Sequence, residues 1–298
     1  MYSGGNLKSH FSHLVDLRDC YPFVKWAGGK SQLLSELDSM IPPKFNRYFE
    51  PFLGGGAMFF HLISDRNMRF TAYLSDINWE LITAYKVVKN NVNELIEILK
   101  RHEREYNRNP SKYYYKLRDE IKPVTDIDKT ARFIALNKTC FNGLYRVNRN
   151  GIFNVPMGRY KNPLICDITN LENVSNALKY SKAAIGGSDY KTALLKPEKE
   201  DFIYLDPPYH PASPTANFTG YSDCGFGDND QLALSKIFAE LNDKKCKVLL
   251  SNSDTPFIRK LYSDFSGYIK EVNVSRVINS KASRRLGHKE LLISNYSS

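Results

Sequence analysis

The hydrophobic pattern changes period several times along the chain. Leu33, Leu34, Leu37 and Met40 recur at helical spacing within Gln32–Met40, and Pro42-Pro43 stops that helix. Arg47–Phe52 then reads as a strand running into a turn at Gly54-Gly55-Gly56. Ala57–Ser64 is the next predicted helix, and Phe70–Ser75 the next strand, ending at Asp76. Strand, glycine turn, helix and second strand make a βαβ unit, the building block of a doubly wound parallel sheet. From Glu80 to Leu136 apolar residues fall three and four apart, which predicts helix. Val147 and Phe153 flank Asn148-Arg149-Asn150-Gly151, a signal for a β-hairpin over Tyr145–Pro156. After Asn162-Pro163 the α/β rhythm returns. It predicts strands at Ala183–Gly186 and Phe202–Leu205, a helix at Asp230–Leu241 and a strand at Lys247–Ser251. Ile269–Val277 and Leu291–Tyr296 close the chain as a hairpin at the sheet edge.

The expectation is an α/β fold: a Rossmann-like doubly wound sheet with an inserted helical and β-hairpin domain. Residues 1–20 read as a polar N-terminal arm, 21–78 and 165–298 as the sheet domain, and 79–164 as the insert. A chain of 298 residues, 42% hydrophobic, suffices for such a core. No apolar stretch reaches the ~18 residues of a membrane span, and no apolar run follows the polar opening Met1–Asn6. Neither a membrane segment nor a secretory signal is expected. Cys20, Cys140, Cys166, Cys224 and Cys246 are scattered and read as reduced thiols of a cytoplasmic protein, with no metal site.

Charge adds a second domain-level signal. The formal net charge is +10, and residues 79–164 hold 17 Lys/Arg against 9 Asp/Glu, a net of +8. Within 138–161, Lys138, Arg146, Arg149, Arg159 and Lys161 alternate with Phe141, Tyr145, Phe153 and Tyr160, and no acid interrupts them. The stretch 272–289 is also acid-free and carries Arg276, Lys281, Arg284, Arg285 and Lys289. Basic residues interleaved with aromatics point to nucleic acid over an ordinary solvated face.

The candidate chemistry begins at Asp206-Pro207-Pro208-Tyr209, directly after an apolar strand. In an open α/β sheet the ligand crevice lies beyond the carboxyl ends of the strands. Two prolines remove backbone donors, so the turn offers acceptors, the Asp206 carboxylate and the Pro207 carbonyl. Such a pair suits both N–H groups of a ring-conjugated amine, and Tyr209 offers a face on which a base can stack. The glycine run after Glu50-Pro51-Phe52-Leu53 is not a dinucleotide fingerprint, because position 59 is Phe59. Gly28-Gly29-Lys30-Ser31 is not a P-loop, because Val24 stands where the first glycine belongs. Asp76 ends the second strand, where an acid commonly accepts ribose hydroxyls. Trp26 and Lys30 are candidates for the amino-acid end of a nucleoside cofactor. Asp189-Tyr190 could bond and stack an adenine, although residue type alone favours a structural role there.

These segments together resemble the Dam-type DNA adenine-N6 methyltransferases, in the order cofactor motif, target-recognition insert, catalytic tetrapeptide. The resemblance runs from about residue 21 to the C-terminus. It is carried by 23–30 (FVKWAGGK), 50–56 (EPFLGGG), Asp76-Ile77-Asn78, 141–148 (FNGLYRVN), 153–160 (FNVPMGRY), Asp206–Tyr209 and Ile293–Tyr296. It implies a class I methyltransferase domain, S-adenosyl-L-methionine as donor with S-adenosyl-L-homocysteine as product, no metal, and duplex DNA as substrate, with GATC as target. By matching motif, Trp26, Lys30, Glu50, Pro51, Phe52, Gly54, Asp76, Asp189, Tyr190 and Asp206 would hold the cofactor. Asp206, Pro207, Pro208 and Tyr209 would form the catalytic turn. Lys25, Asn142, Arg146, Asn148, Pro156, Arg159 and Tyr160 would touch DNA. A cognate restriction endonuclease is a candidate partner, and the chain is expected as a monomer or weak dimer. The residues themselves leave other acceptors open: cytosine N4, an RNA adenine, a protein glutamine, or DNA binding without catalysis.

Overall fold

A computed structural model describes residues 17, 19–30, 33–211, 225–274 and 288–297. The N-terminal arm apart from Leu17, Asp19 and Cys20, the start of the expected Gln32–Met40 helix, Cys224, and the basic positions Arg276, Lys281, Arg284 and Arg285 lie outside these residues.

Seven strands form one sheet: β1 (Arg47–Glu50), β2 (Thr71–Ser75), β3 (Ala184–Gly186), β4 (Phe202–Leu205), β5 (Lys247–Ser253), β6 (Ile269–Val274) and β7 (His288–Ser294). Their order is β3-β2-β1-β4-β5-β7-β6. β3, β2, β1, β4 and β5 are mutually parallel, and β7 runs antiparallel between β5 and β6. This is the doubly wound α/β architecture anticipated from the pattern.

The central strand β4 is covered on both faces, which is why Phe202–Leu205 reads as an unbroken apolar run. Side chains alternate between two cores. Tyr48, Phe202, Tyr204 and Leu249 enter one cluster; Phe49, Ile203, Leu205, Val248 and Leu250 enter the other. Helix α2 (Ala57–Ser64) lies in the first core with α3 (Trp79–Asn90), α4 (Val92–Arg108), α6 (Asp126–Thr139) and α7 (Ile168–Tyr180). The short α5 (Pro110–Tyr115) and a π-helical turn at Lys116–Glu120 join α4 to α6. The second core takes α9 (Asp228–Asp243) and α10 (Pro256–Leu261), with the four-residue α8 (Tyr190–Ala193). At the amino ends, buried Asp201 accepts from the Arg47 backbone N–H (3.1 Å) and from its guanidinium Nη2 (2.6 Å), tying β1 to β4.

Several elements differ from their sequence expectation. Helix α1 spans only Leu34–Asp38. Met40 N–H bonds Leu37 O and Ile41 N–H bonds Asp38 O, tight i→i−3 turns that end the helix before Pro42. α9 is longer than expected, and α7, α8 and α10 were not anticipated. The Tyr145–Pro156 hairpin turns where expected, but its ladder is reduced to one isolated antiparallel bridge, Val147 with Phe153. Asn148 N–H bonds Ile152 O (2.9 Å) and Gly151 N–H bonds Asn148 O (2.9 Å), with Gly151 at φ +72. That is a three-residue loop with glycine in the left-handed position. The Asn148 Oδ1 accepts from the Asn150 and Ile152 backbones, completing it.

Candidate active site

β1 and β4 are neighbours at the centre of the sheet, where the strand order reverses. The crevice at such a switch point lies beyond their carboxyl ends. The Glu50–Gly56 and Asp206–Tyr209 segments leave those two ends.

On the β4 side, Asp206 Oδ1 receives two donors, the Lys30 ammonium at 2.8 Å and the Ser251 hydroxyl at 2.9 Å. The Lys30 Nζ also donates to Gly28 O (2.6 Å) and stands 4.7 Å from the centroid of the Tyr209 ring. The Tyr209 hydroxyl donates to Glu290 Oε2 at 2.9 Å. Burial of that hydroxyl, beside Asp206 and Glu290, pushes it well above the usual phenol range. The Pro208 carbonyl accepts from Gln231 Nε2 at 2.8 Å. Among the described residues no hydrogen bond reaches the Pro207 carbonyl or the second oxygen of Asp206.

On the β1 side, Glu50 is buried and accepts from the Tyr48 hydroxyl at 2.9 Å. Burial, reinforced by Asp206 and Asp76, pushes its carboxyl from the ordinary 4.5 to about 8, against the opposing pull of the Tyr48 and Phe59 donors. Asp76 accepts from the backbone N–H groups of Gly54 and Asn78, each at 2.9 Å. Gly54 sits at φ +48, and a Cβ there would stand 2.8 Å from Trp26 Cδ1. Only glycine lets the turn close on that ring. Phe52 stacks on Tyr190 with centroids 5.3 Å apart, and Phe226 meets both rings. Asp189 caps α8 by accepting from Thr192 N–H at 2.9 Å, the structural role its residue type favoured.

The side formed by Lys25 and residues 141–160 is more open. Lys25 places its ammonium 3.9 Å from the Tyr160 ring centroid. Arg146 is exposed and donates to the Asn154 side chain (2.8 Å) and carbonyl (3.2 Å). Asn142, Asn148, Pro156 and Arg159 are exposed as well, with Asn142 at φ +55 and the Pro156 carbonyl accepting from Phe141 N–H at 2.8 Å.

The structure thus gathers Lys30, Asp206 and Tyr209 into direct contact, sets Glu50, Gly54, Asp76 and Trp26 around the neighbouring strand ends, and groups Lys25 with Tyr160. Four residues at these sites were not legible in the sequence: Ser251, Gln231, Asn252 and Asn137. Asn137 on α6 accepts from Lys25 N–H (2.8 Å) and donates to Lys25 O (2.8 Å) and Gly143 O (3.0 Å), fastening the Trp26 loop to α6 and the turn at Gly143. An open surface cavity of about 640 Å³ bordered by Arg47, Lys196 and Lys244 lies at the opposite, amino ends of the strands.

The description of D12 class N6 adenine-specific DNA methyltransferases matches residues 26–277. This chain belongs to that family. It is similar to the type II methyltransferase M.MjaIII of Methanocaldococcus jannaschii, with 44% identity over 92% of this chain and 99% of that protein. Type II methyltransferase M1.LlaDCHI of Lactococcus lactis subsp. cremoris is 40% identical, over 92% and 95%. The DNA adenine methylase of Haemophilus influenzae is 36% identical, over 91% and 92%. A solved delta-N METTL16 methyltransferase domain gives a TM-score of 0.35 at 9% identity, covering 87% of this chain and 78% of its own. The D12 protein is an adenine-specific DNA methyltransferase, and its family implies S-adenosylmethionine as the methyl donor. No helix among its described residues is long and apolar enough to cross a membrane.

Proposed function

We propose that this D12 enzyme methylates N6 of an adenine flipped out of duplex DNA, within GATC, by direct in-line transfer. The observation that carries the reading is the state of the β4 tip. Asp206 has one oxygen engaged by Lys30 and Ser251, while its other oxygen and the Pro207 carbonyl have no partner among the described residues.

An exocyclic amine on a purine has two N–H groups and a lone pair drawn into the ring. Two acceptors that take both N–H groups draw the lone pair back onto nitrogen. Asp206 and Pro207 supply those acceptors. The target atom is shielded in a duplex, so the base must leave the stack at a cost of a few kcal/mol. Stacking on Tyr209, at about 1–3 kcal/mol per base, offsets part of this. Positioning, more than proton transfer, is what these groups contribute.

The residues around β1 suit S-adenosylmethionine. The Asp76 carboxylate, held by backbone N–H groups, is the acceptor for ribose hydroxyls. Ile77 and Trp79, 74% and 62% exposed, put apolar surface beside it. Glu50 and Lys30 are assigned to the amino-acid end, and Trp26, Phe52 and Tyr190 to the rings that pack against the cofactor. When bound, the cofactor supplies a sulfonium methyl as electrophile. Lys25, Asn142, Arg146, Asn148, Pro156, Arg159 and Tyr160 form the proposed DNA surface. The type II name of two relatives supports a cognate restriction endonuclease as partner, with the enzyme a cytoplasmic monomer or weak dimer.

Methylating a mixed DNA pool and mapping the product tests the reading. Modified adenines confined to GATC are expected. A different shared context replaces the target sequence, and transfer to RNA or protein but not to DNA overturns the substrate assignment.

A further inference from the structure

Behind the catalytic turn, two buried amides form a relay with only one possible polarity. Asn252 on β5 is fully buried, and Gln231 in the first turn of α9 is 1% exposed. Asn252 Oδ1 accepts from two backbone N–H groups, His210 at 3.0 Å and Ser253 at 2.8 Å. Two donors fix that atom as oxygen, so Nδ2 must face the other way. It donates to Gln231 Oε1 at 3.0 Å. The Gln231 nitrogen then has to face the turn, where it donates to Pro208 O at 2.8 Å.

The relay therefore holds both sides of Tyr209, the carbonyl before it and the N–H after it. It also removes the Pro208 carbonyl from the set of free acceptors. With no N–H on Pro207 or Pro208, the Pro207 carbonyl is left as the acceptor that the turn presents beside Asp206. We infer that Gln231 and Asn252 are positioning residues that select and aim the Pro207 carbonyl as partner of Asp206 for the N6 amine. This rests on the proposed grip of the amine by those two acceptors.

Two near-isosteric variants interrupt the relay without emptying the core. Gln231→Met keeps the volume and loses the donor. Asn252→Asp still accepts from His210 and Ser253, but its second oxygen calls for a donor. Gln231 then turns its nitrogen to that carboxylate and its oxygen toward Pro208 O, which repels it.

The test compares binding of duplexes carrying adenine or purine, which lacks the 6-amino group, at the target position opposite an abasic site. Single-turnover methylation and thermal unfolding are measured on the same proteins. The parent is expected to bind the adenine duplex several-fold more tightly. Both variants are expected to lose most of that ratio, to keep the parent's affinity for the purine duplex, and to methylate on the order of 10–100-fold more slowly. Folded variants that keep the parent's ratio and rate overturn the inference and leave the amine grip standing. Equal weakening on both duplexes also overturns it, since that marks a merely structural role. A parent without preference for adenine overturns the grip itself and the relay's role with it.

Discussion

Around the β4 tip, Ser251, Gln231 and Asn252 are buried and bonded to one another or to the Asp206–Tyr209 turn; in the 145–156 hairpin, Arg146, Asn148 and Asn150 are exposed and bonded within the hairpin itself. The first arrangement resists change, because a buried polar group that loses its partner costs about 1–3 kcal/mol. The second is easily exchanged, because water or a nucleic acid can replace each bond. A site for chemistry has to be set before its substrate arrives, whereas a reading surface has to trade its own contacts for those of each sequence it tests.

Asp206→Ala probes the fixed region most severely. It should slow methyl transfer by about 10²–10³-fold or more, the scale of losing a preorganised polar group, and weaken cofactor binding far less, as read by equilibrium dialysis. A rate within about tenfold of the parent would break the contrast.

Glu50, buried at the end of the neighbouring β1, extends the fixed region and probes it through pH. Its folded carboxyl titrates near 8 and its ordinary value is 4.5. Between these values the folded protein keeps a proton that the unfolded chain has released. Stability is therefore fullest below the ordinary value and declines as pH rises through the folded one. Urea unfolding across this window should show that decline, and Glu50→Gln should flatten it. A parallel slope in the variant would assign the pH dependence elsewhere.

Arg146→Ala addresses the exchangeable region. If Arg146 leaves Asn154 to read a guanine edge, discrimination at one base pair should fall by about 1–3 kcal/mol. Equal loss on every sequence, measured by competition binding, would make it a phosphate contact. The smallest effect is expected at Gly151, where an added Cβ meets nothing within 4 Å but φ is +72. Gly151→Ala should cost about 1 kcal/mol of hairpin order, seen as modestly weaker DNA binding with thermal unfolding nearly unchanged.

The same contrast explains what the sequence made legible. Phe202–Leu205 is a strand covered on both faces, so it reads as an apolar run, and the acid at its end marks the crevice. The Ala57–Ser64 helix was recovered at its observed limits because a glycine turn precedes it and five of its residues are buried. The hairpin turn was visible through Asn148 and Gly151, but its weak ladder was not, since pairing beyond the turn depends on tertiary surroundings. Ser251, Gln231, Asn252 and Asn137 were invisible for a related reason. A buried amide resembles an exposed one in a pattern, and each acts on a partner 21 to 112 positions away.

Tyr48 pairs with Phe202 and Phe49 with Ile203 across the two central strands. Arg47 and Asp201, which lock that pairing, are 154 positions apart. During synthesis the first half of the pocket emerges long before its other wall exists, and no short fragment can assemble it. Closing so long a loop is a slow, late event on the folding route. A nascent chain should therefore gain its helices early and its ability to hold a donor only once the fourth strand has docked.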